Sequence, residues 1–211
     1  MKNLISVLGF ILLSFTVSGQ NARYQKAMKQ AMTAFAGAKT SSDFNASANT
    51  FARIAANSES HYLPDYYAAL ALIYQSFGGG EAADRDQMVE RALEHIAAAE
   101  RLSPNNVELE VLRGFALTAK LVVDPATRGQ QYGPMIARHY GKAMQMDPQN
   151  PRAAAMMARN ELGTAQFFGS DPAKACAMGK QSLSLFEKET ANGFEPRWGK
   201  EVAEEVASAC K

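Results

Sequence analysis

Two segments of this chain, residues 92–106 and 136–150, repeat one pattern at a constant offset of 44 residues. Both copies carry a histidine at the same place, His95 and His139. The other matched positions are small or apolar in both copies, or carry the same residue: Ala92 with Ile136, Ile96 with Tyr140, Ala99 with Ala143, Leu102 with Met146, Pro104 with Pro148 and Asn106 with Asn150. One such unit cannot bury its apolar face alone, so copies must stack on one another. The sequence therefore predicts an array of repeats.

The segments around the repeat have the periodicity of amphipathic α-helices. Apolar residues recur at three- and four-residue steps in residues 21–38 and again in 43–57. Residues 40–43, Thr-Ser-Ser-Asp, supply side chains that can cap the second of these helices. Pro64 and Pro151 stand where further helices can begin. We therefore predict an all-α fold.

The repeated pattern resembles the second helix of a tetratricopeptide repeat (TPR). That helix places a small or apolar residue, an aromatic or apolar residue, an alanine and a proline at steps of four, three and five. The matching residues here are Ala92, Ile96, Ala99 and Pro104, and a first-helix pattern precedes them at Tyr67, Leu70, Ala71 and Tyr74. The resemblance implies a right-handed array of antiparallel helix hairpins, a TPR-like α-α superhelix, with a C-terminal capping helix.

The resemblance also implies one helical domain over residues 20–211. Its hairpins are expected at about 21–58, 62–102, 105–147 and 151–190, followed by a cap at 195–210. The Asp-Pro-x-Thr-Arg-Gly, Asn-Pro-Arg and Phe-Gly-Gly segments are similar to those of secreted TPR-like proteins from Bacteroidetes-type bacteria. The Lys, Asn and Arg clamp of the family's chaperone-tail binders is missing, which disfavours that activity.

Two turns are expected to be longer than the family pattern allows. Residues 78–84 follow Phe77 with three consecutive glycines, which carry too large an entropy cost to stay helical. Residues 124–134 contain Gly129, Gly133 and Pro134, which predict an irregular loop. Enlarged loops in compact arrays are often functional, so the second loop is a candidate binding site.

The first nineteen residues have the pattern of a secretory signal peptide: Lys2, an apolar run, and small residues at 17–19. An uncleaved anchor is the alternative, although the run is short for a membrane span. No cysteine directly follows the run, so a lipid anchor is not expected. The 22 Lys and Arg balance 21 Asp and Glu, which does not favour nucleic-acid binding. We expect a periplasmic or secreted protein with no membrane span after signal cleavage.

The chain has two cysteines, Cys176 and Cys210, which lie at equal distances on either side of Gly193. If Gly193 is the centre of an antiparallel helical hairpin, the two sulfur atoms reach the same level. An oxidising compartment permits a disulfide between them. Two separate buried thiols are the alternative.

Nothing in the sequence indicates an enzyme, a cofactor or a metal site. The three histidines, His61, His95 and His139, are spread over the repeats, whereas a metal ion needs three or four converging ligands. The ten methionines could bind copper, but at helical spacing they are more often core residues. No nucleophile or phosphate-binding motif is present.

The expected function is a non-enzymatic, periplasmic scaffold that binds a protein or peptide partner of the cell envelope. The alternatives are a small-molecule or glycan-binding protein of the envelope and a purely structural subunit. Arg128 either contacts a partner or pairs with Asp124, four residues earlier. The candidate partner-binding residues are Tyr67, Tyr74 and Phe115, then Arg128 and Tyr132 on the loop, then Arg152, Arg159 and Asn160.

Overall fold

Nine α-helices account for most of the residues that the computed structural model describes, which are 21–58, 60–190 and 192–209. These ranges contain no β-strand. The expected signal peptide, residues 1–19, lies outside them. In chain order the helices are α1 (21–36), α2 (Ser41–Ala56), α3 (Leu63–Phe77), α4 (Ala82–Leu102), α5 (Val107–Leu121), α6 (Pro125–Met146), α7 (Pro151–Phe168), α8 (Ala173–Phe186) and α9 (Lys200–Ser208).

The helices pack as consecutive hairpins, α3 with α4, α5 with α6 and α7 with α8. The helices α3, α5 and α7, here called the first helices, also pack side by side. At one end of the array α2 packs against α3, and at the other α9 packs against α7 and α8. The all-α array of helical hairpins that the sequence predicts is therefore confirmed. No helix in the described ranges has both the length and the apolarity needed to span a membrane.

The repeated positions have the same structural role in both copies. The matched residues of α4 and α6 are fully or almost fully buried: Ala92 and Ile136, Ile96 and Tyr140, Ala99 and Ala143. The two matched asparagines begin the following helices, because Asn106 Oδ1 accepts the amide N–H of Glu108 (2.9 Å) and Asn150 Oδ1 accepts that of Ala153 (2.8 Å). The pattern thus encodes both the core and the helix starts.

A glycine permits close contact between α5 and α6. Gly114 faces the ring of Tyr140, and a Cβ atom added to Gly114 would lie 2.8 Å from Cδ1 and 2.9 Å from Cζ of that ring. Tyr140 is 1% exposed, and its hydroxyl lies 3.1 Å from Oγ1 of Thr118. A larger residue at position 114 would therefore push the two helices of this hairpin apart.

The three glycines end α3 at Phe77 as predicted, but both turns are shorter than the sequence predicts, because the extra residues lengthen α4 and α6 instead. Only residues 78–81 separate α3 from α4, and α6 begins at Pro125, directly after Asp124. Asp124 caps α6 by accepting the N–H of Thr127 (3.2 Å), and proline is favoured at a first helical position. Pro134 lies inside α6 and has no N–H to donate to the carbonyl of Gln130. Both residues are exposed, so water can solvate that carbonyl.

The helix boundaries near the C-terminus also differ from the prediction. Helix α8 ends at Phe186, and α9 begins at Lys200 rather than near Glu195. Proline disfavours helical geometry in the residue before it, and Pro196 follows Glu195. Gly199, directly before α9, has φ +98°, a value that L side chains rarely adopt. Residues 194–199 therefore form an irregular segment, here called the strap.

Candidate functional site

A continuous cluster of aromatic side chains lies on one side of the array. Its rings come from α1, α2, α3, α5 and the strap, and we call it the aromatic face. Several of the rings remain partly exposed, including that of Phe77, which is 37% exposed. Members of the aromatic face are Phe35, Phe44, Tyr74, Phe77, Phe115 and Trp198.

Phe115 holds the centre of the aromatic face. Its ring stacks against Phe77 at a centroid distance of 5.4 Å and against Trp198 at 5.5 Å. Tyr74 meets Phe115 edge-on at 5.9 Å and lies 5.5 Å from Phe44. Offset-stacked and edge-to-face pairs are the favoured arrangements of aromatic rings. The packed rings therefore form a preformed apolar surface rather than a set of loose side chains.

The strap lies across the first helices. Near its start, the hydroxyl of Tyr67 donates to the carbonyl oxygen of Phe194 (2.8 Å), and that of Tyr62 donates to Oε2 of Glu195 (3.0 Å). At its end, a Cβ atom on Gly199 would lie 3.2 Å from Cγ of Arg152 in α7. The strap therefore covers part of the first-helix surface that carries Tyr67 and Arg152, two of the candidate partner-binding residues.

A chain of polar groups connects the strap to the interior of the array. Nε1 of Trp198 donates to the hydroxyl of Tyr66 (2.7 Å), and this hydroxyl donates to Oε2 of Glu108 (3.3 Å). Glu108 also accepts Nε of Arg152 on both oxygens (2.9 and 2.8 Å) and Nδ2 of Asn150 (2.6 Å). Burial, and next the charge of Glu108, raises the pKa of Tyr66 well above its usual range, so its hydroxyl stays protonated.

Three of the candidate residues from the sequence belong to or adjoin the aromatic face. Tyr74 and Phe115 are part of it, and Tyr67 lies behind it, 6.0 Å from the ring of Phe35. Tyr67 is 2% exposed, and its hydroxyl is used by the strap. Its contribution is to hold the strap rather than to face solvent.

The candidate residues of α7 have different surroundings. Arg152 is 4% exposed, and besides Glu108 its Nη2 donates to Glu189. Two carboxylates therefore compensate its charge. Arg159 has a side chain that is 43% exposed, and its Nη2 lies 3.9 Å from Oε2 of Glu205. Asn160, the next residue, is half-buried.

Arg128 and Tyr132 lie on α6, away from the aromatic face. Nη1 and Nη2 of Arg128 donate to the two carboxylate oxygens of Asp86 in α4 (2.7 and 2.8 Å), and Nη1 also donates to the carbonyl of Lys120 (3.0 Å). The sequence suggests an ion pair between Arg128 and Asp124, and this prediction is wrong. Arg128 pairs with Asp86, and Asp124 caps α6 instead. Tyr132 lies beneath the ammonium group of Lys120, 6.0 Å from its ring centroid.

The three histidines do not converge. Nδ1 of His95 lies 2.7 Å from Asp65, and Nδ1 of His139 lies 2.8 Å from Glu110, each pair joining the two helices of one hairpin. His61 stacks on Tyr24 at 3.9 Å. Within the described ranges, no three His, Cys, Asp or Glu side chains are grouped so that they could hold a metal ion.

The expected disulfide falls partly outside the described residues. Cys176 is 4% exposed within α8, but Cys210 lies beyond the described part of the chain. The pairing of the two cysteines stays a prediction.

Sequence reasoning missed Phe77 and Trp198 as members of the site. The sequence pattern predicts that Phe77 is the last residue of a helix before a glycine turn. It predicts that Trp198 lies on the apolar side of a capping helix. A partial signal for Trp198 was the combination of Pro196 and Gly199, because proline disfavours helical geometry in the residue before it and glycine permits the positive φ found directly before α9.

Comparison with known proteins places this architecture in a family. The chain has 30% sequence identity and a TM-score of 0.79 to the HusA haemophore from Porphyromonas gingivalis, over 89% of this chain and 92% of that one. It belongs to the HusA haemophore family. Within that family it is a TPR-like helical repeat protein of Bacteroidetes type, as its sequence predicts.

A second solved structure supports the fold alone. A TPR protein from Thermus thermophilus matches with a TM-score of 0.59 and 16% identity, over 77% of this chain and 74% of that one. No family model matches the sequence, and no curated protein matches it. The TPR pattern of this HusA-family member is therefore carried by its helix packing more clearly than by its residues.

Proposed function

We propose that this HusA-family protein is a non-enzymatic binding protein of the cell envelope that captures a flat, largely apolar ligand of the porphyrin type, haem included, on its aromatic face. The observation that carries the proposal is the preformed aromatic face itself, with Phe35, Phe44, Tyr74 and Trp198 all partly exposed and Phe77 37% exposed. Membership of a haemophore family supports the ligand class.

Partly exposed aromatic rings held in place by buried ones suit a planar ligand. Ligand sites are lined mostly by apolar and aromatic side chains with a few polar groups that set orientation. Phe115 is 3% exposed and fixes the rings around it, so their positions do not have to be ordered when a ligand binds. A planar ring system stacked there would remove apolar surface on both partners from water.

Arg159 is the cation best placed to pair with a carboxylate of such a ligand. Burial, and next the charge of Glu201, raises the pKa of Tyr74, while the charge of Arg159 opposes the rise, so Arg159 lies within electrostatic reach of Tyr74. The 3.9 Å contact of Arg159 with Glu205 is at the outer limit of an ion pair. Its guanidinium donors can therefore turn to a ligand at little cost.

The strap favours a small ligand over the protein or peptide partner that the sequence suggests. Part of the first-helix surface on which a peptide would lie is covered by residues 194–199. The hydroxyls of Tyr62, Tyr66 and Tyr67 are engaged beneath it, which leaves few donors for a glycan on that side. What stays open is the apolar part of the surface.

Binding is not expected to depend on the iron of haem. His95 and His139 are paired with carboxylates inside their hairpins, and His61 stacks on Tyr24 rather than on the aromatic face. Burial also raises the pKa of Tyr74, the tyrosine on the aromatic face, so its hydroxyl stays protonated and is a poor iron ligand. Metal-free protoporphyrin IX should therefore bind with an affinity similar to that of haem.

The test is a titration of the mature chain with haem and, separately, with protoporphyrin IX. Saturable changes in the Soret band are expected, together with quenching of the single tryptophan, Trp198. Phe44→Ala and Tyr74→Ala should each weaken binding about two- to tenfold, since an aromatic pair contributes about 0.5–1.5 kcal/mol.

The matched control is Phe168→Ala. Phe168 is 75% exposed at the end of α7, and its ring contacts Phe167 rather than the aromatic face. Its removal should leave affinity unchanged. The proposal is overturned if neither porphyrin saturates the protein, or if the control weakens binding as much as Phe44→Ala does. If haem saturates the protein and protoporphyrin IX does not, iron ligation rather than ring stacking binds the ligand, and the proposal is overturned.

The expected location is the periplasm or the cell exterior. The signal-peptide pattern of residues 1–19 and membership of a haemophore family support it. Fractionation of the producing cells should recover a chain lacking these residues, and a full-length chain in the cytosol would contradict it.

A further inference from the structure

Trp198 has an environment that a simple packing residue does not need. Its ring stacks on Phe115 with an interplanar angle of 18°, while the side chain remains partly exposed on the aromatic face. Its Nε1 donates to a hydroxyl that is itself fixed from within the array, since Tyr66 is 0% exposed. The position and rotation of this indole are therefore set by both an apolar and a polar contact.

The polar contact continues through residues that sit far apart in the sequence. Tyr66 of α3 donates to Glu108 of α5, and Glu108 pairs with Arg152 of α7. Each of the three first helices thus contributes one member. Glu108 and Arg152 occupy equivalent positions in successive repeats, 44 residues apart, so the repeat geometry itself brings them together.

The pair is buried on both sides, with side-chain exposures of 5% for Arg152 and 8% for Glu108. Burial alone would lower the pKa of Arg152, but the charge of Glu108 and its hydrogen bonds raise it overall, so the guanidinium stays charged. A buried ion pair is a weak source of net stability, and in some proteins such pairs fix a specific geometry instead. Here the group it positions is the hydroxyl of Tyr66.

We propose that the relay Arg152–Glu108–Tyr66 is a positioning device that holds Trp198 as the stacking wall for the ligand on the aromatic face. Trp198 is the ligand-contacting residue, whereas Tyr66, Glu108 and Arg152 act through it. The inference rests on the proposed function for the identity of the ligand. It adds a contact residue from the strap and three positioning residues that do not touch the ligand.

The informative variant is Tyr66→Phe, which removes the acceptor of the Trp198 N–H and keeps the ring. The emission of Trp198 in the ligand-free protein should shift and its anisotropy should fall, because the indole loses its polar anchor. Affinity for protoporphyrin IX, measured from the Soret band, should fall about three- to tenfold, the size of one lost hydrogen bond. Trp198→Ala should lose more affinity than Trp198→Phe, which keeps a stacking ring.

Tyr140→Phe is the matched control. It also removes a hydroxyl from a buried tyrosine, one that lies beside Thr118 rather than beside the strap. It should lower the melting temperature to a similar extent and leave both Trp198 emission and porphyrin affinity unchanged.

Two outcomes overturn the inference while leaving the proposed function intact. In the first, the wild type binds porphyrin and Tyr66→Phe binds it equally well with unchanged emission. In the second, Tyr140→Phe weakens binding as much as Tyr66→Phe does. Both substitutions would then act through the overall stability of the fold, and the relay would have no specific effect on Trp198. Failure of the wild type to bind any porphyrin overturns the proposed function and the ligand role of Trp198 together.

Discussion

Replacing Gly114 by alanine should destabilise the protein, although alanine is the better helix former. In the interior of an exposed helix the change stabilises by about 1 kcal/mol. At Gly114 the new Cβ would lie 2.8 Å from Cδ1 of Tyr140, closer than real Cβ contacts come. Tyr140 is fully buried against its neighbours, so it cannot swing into solvent to make room.

The magnitude follows from two costs and one gain. Overpacking of a buried site costs about 1–3 kcal/mol. Displacing Tyr140 also weakens the contact of its hydroxyl with Thr118, which is worth about 1 kcal/mol. After subtraction of the helix-propensity gain, we expect a net loss of about 1–3 kcal/mol in the free energy of unfolding.

The measurement is urea denaturation followed by circular dichroism at the helix band. Gly163→Ala is the matched control, because Gly163 also lies inside a first helix but has no atom within 4 Å of an added Cβ. It should raise the free energy of unfolding by about 0.5–1 kcal/mol. The two Gly→Ala changes should therefore have opposite signs.

A smaller residue at the facing position provides a further check. In the double variant Gly114→Ala with Tyr140→Leu, part of the loss from Gly114→Ala should disappear, because the two sites are in contact and their effects are not additive. If Gly114→Ala is as stable as the wild type, or if the double variant is strictly additive, the close approach of α5 and α6 is not what constrains this position.

The remaining predictions concern charges and sulfur. Arg152→Met should lower the free energy of unfolding in urea by about 3–5 kcal/mol, because the buried charge of Glu108 loses its cation, and adding Glu108→Gln should recover much of that loss. Burial alone would raise the pKa of Glu110, but hydrogen bonds from His139 and Lys142 lower it overall. The contribution of Glu110 to stability is therefore present above pH about 4 and is lost as the pH falls through its folded-state pKa. As the pH falls through that range, the urea unfolding midpoint of Glu110→Gln should decrease less than that of the wild type. Denatured, unreduced protein should take up no thiol label if Cys176 and Cys210 are bonded, and two labels would refute the pairing.

The repeat positions were predictable from the sequence because local and long-range requirements coincide there. Ile96 and Tyr140 are apolar in the pattern and fully buried in the fold, and Asn106 and Asn150 cap helices where the pattern places them. Each of these residues is required both by its own helix and by packing against the next repeat. One sequence pattern therefore predicts both the helices and their packing.

Pro134 shows where local rules fail. A proline inside a helix removes one hydrogen bond, but the cost is small where the freed carbonyl is exposed to water, as at the solvent side of α6. Asp124 and Pro125 supply a strong helix start nine residues earlier, which outweighs that cost. The prediction of a loop rested on Pro134 as a helix breaker and did not consider Asp124 and Pro125 as a helix start.

The aromatic face could be predicted only in part. Tyr74 and Phe115 have the spacing of first-helix positions, so their convergence follows from the repeat. Trp198 reaches the face through an irregular strap whose path depends on hydrogen bonds to tyrosines more than a hundred residues away. Arg128 pairs with Asp86 at a separation of 42 residues for the same reason. Periodicity cannot report such contacts.

The most direct test of the central claim is to map aromatic and amide NMR shifts of residues 20–211 as metal-free protoporphyrin IX is added. A porphyrin stacked on the aromatic face should produce large ring-current shifts at Phe44, Tyr74, Phe77 and Trp198. Residues on α4 and α6, such as Tyr132, should change little. Large shifts on those second helices with an unperturbed aromatic face, or no shifts at saturating porphyrin, would contradict the account.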